Sequence, residues 1–278
     1  MTRSWPELAA RTREIALELT SWPSVTGTPD EAAFAGRFAN YLQRSKSLDV
    51  WTEALPKDAA GRSSVFALKR GASSRTIVLA GHFDTVSFSD YGELAKFALN
   101  PEALRDVMIA RLAQTGENAL ALADLTSGDF LPGRGLLDMK SGIAAGLAAM
   151  ESYDGEHSLL LMATPDEEDR SAGMRAAAPS LKKLDLRIEL VINLDAISDQ
   201  GDGSTGRVVA MGSVGKQLLT AFVVGKETHA SYPRDGANAA YIAAELVTEF
   251  ELAAELEEET GEELAAPPTA LHAKDLKS

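Results

Sequence analysis

Apolar and polar residues follow two different periods along the chain. A helical period follows the start signal at Ser4 and Glu7, and the N-cap and capping-box pattern at 28–31 predicts a second helix that ends near Leu42. Shorter, more continuous apolar runs predict strands at 49–53, 65–69, 76–80, 158–163 and 188–194. Further helical patterns lie at 141–151 and 171–181. Strands that alternate with helices predict a layered α/β domain around a largely parallel sheet.

Two long segments do not fit this alternation. Positions 87–131 separate two strand-end motifs and contain a predicted helix at 101–113. At 201–206 the composition changes to Gly, Asp, Ser and Thr, which is typical of a linker. We therefore predict one domain over 1–203 and a second α+β domain over 204–278. The second domain is predicted to contain strands at 207–211 and 221–226 and a helix at 237–259.

Charge and hydropathy exclude several classes of partner. The chain has 27 Lys and Arg against 41 Asp and Glu, a formal net charge of −14, so it cannot neutralise a phosphate backbone or an anionic membrane. Much of this charge lies in the Glu-rich part of the last predicted helix, which we interpret as a solvent-exposed face. The N-terminus has no apolar core of a signal peptide, and no run of 18 apolar residues occurs. The pattern predicts a cytoplasmic protein that binds neither nucleic acid nor membrane.

The candidate chemistry is restricted by residue types. The chain has no cysteine and only four histidines, so any metal must be bound by His, Asp and Glu. Three motifs follow predicted strands and one leads into a predicted helix: GHFDTV at 81–86, TPDEE at 164–168, LDA at 194–196 and GRGLLDMKSG at 133–142. Ligand sites of open α/β sheets form beyond the carboxyl ends of the strands. We therefore expect His82, Glu167, Glu168 and Asp195 to converge.

A histidine among carboxylates, without cysteine, is typical of a hydrolytic zinc site. Asp84 lies two residues after His82, where it can hold the second ring nitrogen, and Asp138 can bridge two metals. One more carboxylate must stay off the metal to accept a proton from water, and Glu167 and Glu168 can divide these two roles between them.

The four motifs together, in this order, resemble the dinuclear-zinc exopeptidases and deacylases, the family of aminoacylase, glutamate carboxypeptidase and succinyl-diaminopimelate desuccinylase. The segments SFSDYGELAKFALNPEAL, DEEDRSAGMRAA and GSVGKQLLTAFVVGKETHASYPRDGANA are similar to the arginine-utilisation (RocB) branch of that family. The resemblance implies a three-layer catalytic domain with a partial lid domain through which two copies pair. It implies hydrolysis of an amide bond in a small N-acyl amino acid or short peptide, and a link to arginine catabolism.

Carried onto this sequence, the resemblance implies two zinc ions and a role for each motif residue. His82 and Asp195 would hold one zinc and Glu168 the other, with Asp138 between them and followed by a cis peptide bond. Glu167 would be the general acid/base, and Asp84 would orient His82. In the lid, His229 matches a histidine that stabilises the substrate carbonyl and Asn238 matches a residue that contacts the substrate carboxylate, although a structural role stays open for both.

The resemblance departs at the end of the chain. Relatives complete the second zinc site with a histidine that follows the lid, and the chain stops at Ser278 before such a position, so we expect the sequence to represent the N-terminal part of a longer relative. His272 is the one histidine that could substitute. The alternative hypothesis is a catalytically impaired protein that binds at most one metal and self-associates. A phosphate loop at 212–217 is excluded because the Walker spacing is absent.

Overall fold

The computed structural model describes residues 3–196 and 221–252. The chain divides into two compact units, Met1–Ala196 and Ile197–Ser278. No helix within the described ranges is both long enough and apolar enough to cross a bilayer.

The first unit is built on a five-stranded sheet in the order β1-β2-β4-β3-β5. The strands are β1 (Asp49–Ala54), β2 (Ser63–Lys69), β3 (Arg75–His82), β4 (Ser158–Thr164) and β5 (Arg187–Asn193). Strand β3 is parallel to both β4 and β5, whereas β2 is antiparallel to β1 and β4. The predicted strands are confirmed. The parallel part is smaller than predicted, because the short connection from β1 to β2 allows only antiparallel pairing.

Six α-helices complete the first unit. They are α1 (Trp5–Thr20), α2 (Pro29–Leu42), α3 (Pro101–Thr115), α4 (Ala119–Ser127), α5 (Ser141–Ser152) and α6 (Ala172–Ser180). Short 3-10 segments occur at Ser89–Phe97 and Leu181–Lys183, and a π-type turn at Leu136–Lys140 leads into α5. Helix α4 was not predicted. The side chain of Asn118 caps its first turn by accepting a hydrogen bond from the Ala121 N–H at 3.0 Å.

The sheet is covered on both faces, which gives the predicted three layers. Alternate residues of β2 point to opposite sides: Val65 packs with α1, α2 and α5, whereas Phe66 packs with the α6 side. The larger apolar cluster includes Phe34, Phe38 and Leu147, all 2% exposed or less. Burial on both faces explains why these strands are continuous apolar runs in the sequence.

The described part of the second unit contains little regular structure besides one helix. Helix α7 (Ala239–Leu252) follows a 3-10 turn at Pro233–Asp235, and a single bridge joins Lys226 to Ala237. The strand predicted at 221–226 is wrong. Within the described residues of this segment, only Lys226 pairs with another backbone segment, and the side chains of Phe222 and Val224 are exposed. The predicted strand at 207–211 and the end of the predicted helix at 237–259 lie outside the described residues.

The larger cluster should dominate stability. Replacing Phe38, which is completely buried, by Ala should lower the free energy of unfolding by about 3–5 kcal/mol, because it leaves a cavity in the larger cluster beside the rings of Phe34 and Tyr41. Leu120→Ala on α4 is the control, since this side chain is 73% exposed and its loss should cost less than about 0.5 kcal/mol. Urea unfolding of both variants measures the difference. Equal losses would contradict the assignment of the core.

Candidate metal centre

The carboxyl ends of β3, β4 and β5 meet at one edge of the sheet. In the register of the parallel pairs, His82 at the end of β3 lies opposite Thr164, and Ala80 lies opposite Asn193. Two residues beyond β5 the chain reaches Asp195, and shortly beyond β4 it reaches Glu167. Parallel strands in this register therefore bring distant motifs to the same edge, as the strand-end rule predicts.

His82 lies at the centre of a group of carboxylates. Its Nε2 is 3.0 Å from Asp138 Oδ1, 3.9 Å from Glu167 Oε2 and 3.9 Å from Asp195 Oδ2. One potential ligand atom from each of His82, Asp138 and Asp195 lies within 4.8 Å of the others. The structure thus brings together residues from all four motifs, and three of these residues form the ligand cluster.

The Nε2 atom of His82 is buried and makes no hydrogen bond, since the nearby Asp138 oxygen is not aligned for one. A buried polar atom without a partner is costly unless something binds it. A cation held between this nitrogen and the carboxylates of Asp138 and Asp195 would satisfy all three groups, and imidazole with carboxylates is a ligand set that zinc accepts. The residues present therefore fit a metal ion.

The Asp138 turn packs directly under His82. The Asp138–Met139 peptide bond is cis, as the resemblance implies. Met139 is completely buried, and its sulfur accepts a hydrogen bond from the His82 N–H at 3.1 Å. A Cβ atom at Gly81 would lie 2.5 Å from the terminal methyl carbon of Met139, so a larger residue there would require this side chain to move.

Asp84 supports two parts of the site. The Nδ1 of His82 lies 3.0 Å from the carbonyl oxygen of Asp84 and 3.6 Å from its carboxylate. The carboxylate itself accepts hydrogen bonds from the Thr26 hydroxyl at 2.8 Å and from the backbone N–H groups of Glu167 at 3.1 Å and Glu168 at 3.2 Å. The carbonyl of Asp84, rather than the carboxylate, thus lies within hydrogen-bond distance of His82, and the orienting role of Asp84 stays a prediction. The carboxylate fixes the acidic turn, which the sequence did not reveal.

Burial and charge change the protonation equilibria of the site. Burial opposes protonation of His82, but the hydrogen bond and charge of Asp84, with the charges of Asp195 and Glu167, outweigh it and raise its pKa to about 9. Burial, with the charge of Asp138, raises the pKa of Glu168 and of Asp195. The protein therefore concentrates negative charge around one imidazole nitrogen.

Burial also raises the intrinsic cost of ionising Asp84, yet its pKa is lowered because His82, the Glu167 N–H and Thr26 stabilise the carboxylate.

Lys140 is completely buried beside the site and was not among the predicted site residues. Its ammonium group donates to the Trp22 carbonyl at 2.7 Å and lies 4.8 Å from the Phe34 ring, and burial lowers its pKa to about 7. Its position inside the DMKSG motif was the available signal.

His229 and Asn238 belong to the second unit. The backbone N–H of Ser231 donates to His229 Nδ1 at 3.2 Å. The side-chain oxygen of Asn238 accepts from the N–H groups of Ala240 at 3.0 Å and Tyr241 at 3.2 Å, which caps α7. Asn238 therefore has a structural role, and the substrate-binding roles of both residues stay predictions.

The residues around His82 fit a metal ion, and comparison with known proteins identifies the family. Residues 78–274 match the model of peptidase family M20/M25/M40, and the chain belongs to this family.

Curated relatives confirm the predicted resemblance. The chain is 33% identical over 273 residues to the uncharacterized protein YqjN of Bacillus subtilis (strain 168), with 93% of this chain and 49% of that protein covered. It is 31% identical over 288 residues to Protein RocB of the same organism, with 97% and 50% covered. The chain thus spans about half the length of these relatives. Human carnosine dipeptidase 1 has a similar fold, with a TM-score of 0.51, 14% identity and coverage of 69% of this chain and 40% of that one.

The charge around His82 predicts a measurable titration. In chelator-treated protein the imidazole should titrate near pH 9 rather than near 6.5. Because the folded-state pKa is raised, this contribution to stability is complete below about pH 6.5 and is lost as the pH rises through about 9. NMR of the histidine ring protons measures the titration, and His82→Gln identifies the signal. Titration near 6.5 would contradict the described surroundings of His82.

Close packing of α5 against the end of β5 predicts a second effect. A Cβ atom at Gly142 would lie 2.0 Å from the carbonyl oxygen of Leu194, so Gly142→Ala must displace the backbone beside Asp195. We expect zinc affinity to fall by about tenfold or more. The control is Gly36→Ala on α2, where a Cβ meets nothing within 4 Å and should stabilise by about 0.5–1 kcal/mol. Calorimetric zinc titration compares the two variants, and equal affinities would show that the α5–β5 contact does not position Asp195.

Proposed function

We propose that the first unit carries the catalytic centre of a metal-dependent amide hydrolase. The observation that carries this proposal is the convergence of Asp138, Asp195 and Glu167 on the buried, unpartnered Nε2 of His82. Nε2 makes no hydrogen bond although three carboxylate oxygens lie within 3.9 Å of it, and this favours a cation site over a structural salt-bridge cluster. Membership of a peptidase family supports the same reaction class.

In this proposal the metal ligands belong to two zinc positions. His82 and Asp195 would hold one zinc ion, Asp138 would bridge, and Glu168 would contribute to a second. When bound, zinc polarises an amide carbonyl and lowers the pKa of water. Burial favours these roles for Asp195 and Glu168, because both are carboxylates whose negative charge is poorly solvated and gains from a nearby cation.

Glu167 is the proposed general acid/base. Its side chain is 48% exposed, and Oε2 reaches to 3.9 Å from His82 Nε2, so the carboxylate is open to solvent and substrate at the same time. Its backbone N–H is held by Asp84. In the reaction Glu167 Oε2 would accept a proton from the attacking water and donate it to the nitrogen of the leaving amine.

The proposed substrate is a small N-acyl amino acid or a short peptide, and arginine catabolism is its proposed context through the RocB resemblance. We propose that the domains extend over 1–203 and 204–278, and that the second one contributes His229 at the substrate carbonyl and Asn238 at the substrate carboxylate. A homodimer formed through the second domain and a cytoplasmic location belong to the same proposal.

Substitution of Glu167 should separate metal binding from turnover. Glu167→Gln should retain zinc binding but lower kcat by about 10²-fold or more, because the amide cannot accept the proton. His82→Gln should lose zinc at the same site. Glu156→Gln is the control, since this exposed carboxylate lies at the opposite end of the sheet. Zinc content by mass spectrometry and hydrolysis of N-acetyl amino acids and dipeptides by the 278-residue chain are measured.

Two zinc ions per chain, with hydrolysis that Glu167→Gln abolishes, would support the proposal. One zinc or none, with no turnover by the wild-type chain, would rule it out for this chain. That outcome would favour the alternative of a metal-binding, self-associating protein, which sedimentation analysis of the same sample would test.

A further inference from the structure

We infer that Arg62, together with Glu31 and Asp166, forms a positioning group that fixes the turn carrying Glu167 and Glu168. The inference rests on the proposed function of these two glutamates. Arg62 and Glu31 lie far from the turn in sequence, Asp166 is its first acidic residue, and none of the three contacts a proposed zinc ligand side chain. Their effect would pass through the backbone of the turn.

Three consecutive N–H groups of the turn are bound by buried carboxylates. Asp166 N–H donates to Glu31 Oε1 at 2.9 Å, and the next two N–H groups donate to Asp84, as described above. Glu31 is completely buried, and it also accepts a hydrogen bond from the Gly27 N–H at 2.7 Å. Charged acceptors make such bonds strong, so the direction of the turn is set by Glu31 and Asp84 together.

Asp166 adopts a backbone conformation that needs support. Its φ is +69°, in the left-handed region that residues other than glycine rarely adopt. The Asp166 side chain stabilises this conformation from two sides: one carboxylate oxygen accepts from the Ala172 N–H at 3.0 Å, at the start of α6, and the other pairs with Arg62. Loss of either contact should allow the turn to relax and carry the Glu167 backbone with it.

Arg62 lies between these acids and supplies their positive charge. Its guanidinium lies 3.4 Å from Glu31 Oε2 and 3.0 Å from Asp58 Oδ1, besides its contact with Asp166. Glu31 and Asp166 are at most 2% exposed, so without Arg62 two buried carboxylates would be left without a counter-charge. The planar guanidinium can serve several carboxylates at once, which a lysine ammonium cannot do equally well.

The location of the group argues against a role in stability alone. Arg62, Asp166 and Glu168 line one cavity of about 730 Å³, which also reaches Thr85 beyond the end of β3. The group therefore lies in the wall beside the proposed site and not in either apolar cluster. A shift of the turn would move the two glutamates relative to this cavity.

The test compares Arg62→Met, which removes the charge but retains the chain length, with Arg62→Lys and with the control Arg13→Met. Arg13 pairs with Glu102 at an exposed position. Deuterium exchange is measured on peptides that contain 166–168, and kcat and KM are measured on the same samples. We expect Arg62→Met to accelerate exchange in this peptide by about tenfold or more and to lower kcat by about 10–100-fold, with KM changed less than about threefold. Arg62→Lys should lie between wild type and Arg62→Met, and Arg13→Met should match wild type.

Unchanged exchange at 166–168 in Arg62→Met, or a lower melting temperature with kcat unchanged, would overturn the inference. If Arg62→Met does not fold, Asp166→Asn replaces it, because asparagine tolerates the left-handed backbone and keeps a capping oxygen while it removes the charge. If the wild-type chain binds zinc but hydrolyses nothing, the proposed function fails separately. The inference is then decided by the exchange data together with the affinity of the second zinc, which depends on Glu168.

Discussion

The site depends on one buried carboxylate, that of Asp84. Its side chain is completely enclosed, and it accepts hydrogen bonds from Thr26, Glu167 and Glu168 while its own backbone carbonyl lies against His82. A buried ionised carboxylate is tolerated only when its lone pairs are used, and here they are used by the groups that build the centre. The requirement to satisfy Asp84 thus holds the ends of β3 and β4 in one arrangement.

Small residues allow these strand ends to approach the helix that follows the Asp138 turn. The Met139 side chain packs against Gly81, where a larger residue would displace it. The carbonyl oxygen of Leu194 lies so close to Gly142 that a Cβ atom there would displace the backbone. These two contacts determine how far the Asp138 turn and the end of β5 lie from His82. The apolar packing and the ligand geometry are therefore parts of a single structure, and neither can change without the other.

Much of this arrangement could be predicted from the sequence, because it follows from local rules. The apolar run before His82 predicts a buried strand, and the strand-end rule then brings His82 and Asp195 together although more than a hundred residues separate them. The contact of Arg62 with Asp166 follows no such rule, since Arg62 belongs to no motif and its approach to Asp166 depends on the loop before β2. The strand predicted at 221–226 was wrong for a related reason: a short apolar run indicates a surface to be covered, but pairing depends on a neighbouring strand that the run does not specify.

The pKa values of two basic side chains, His82 at the centre of the site and the neighbouring Lys140, show how the surrounding carboxylates act. Burial lowers the proton affinity of both, yet the pKa of His82 rises to about 9 and that of Lys140 falls to about 7. The difference lies in their neighbours, since Lys140 contacts a carbonyl and an aromatic ring, whereas His82 faces several carboxylates. The field of the site therefore attracts positive charge to the imidazole rather than to the buried amine. Because a metal ion needs the neutral imidazole, a proton competes with it for the same Nε2 atom, so the carboxylates that favour a cation there also make its binding depend on pH.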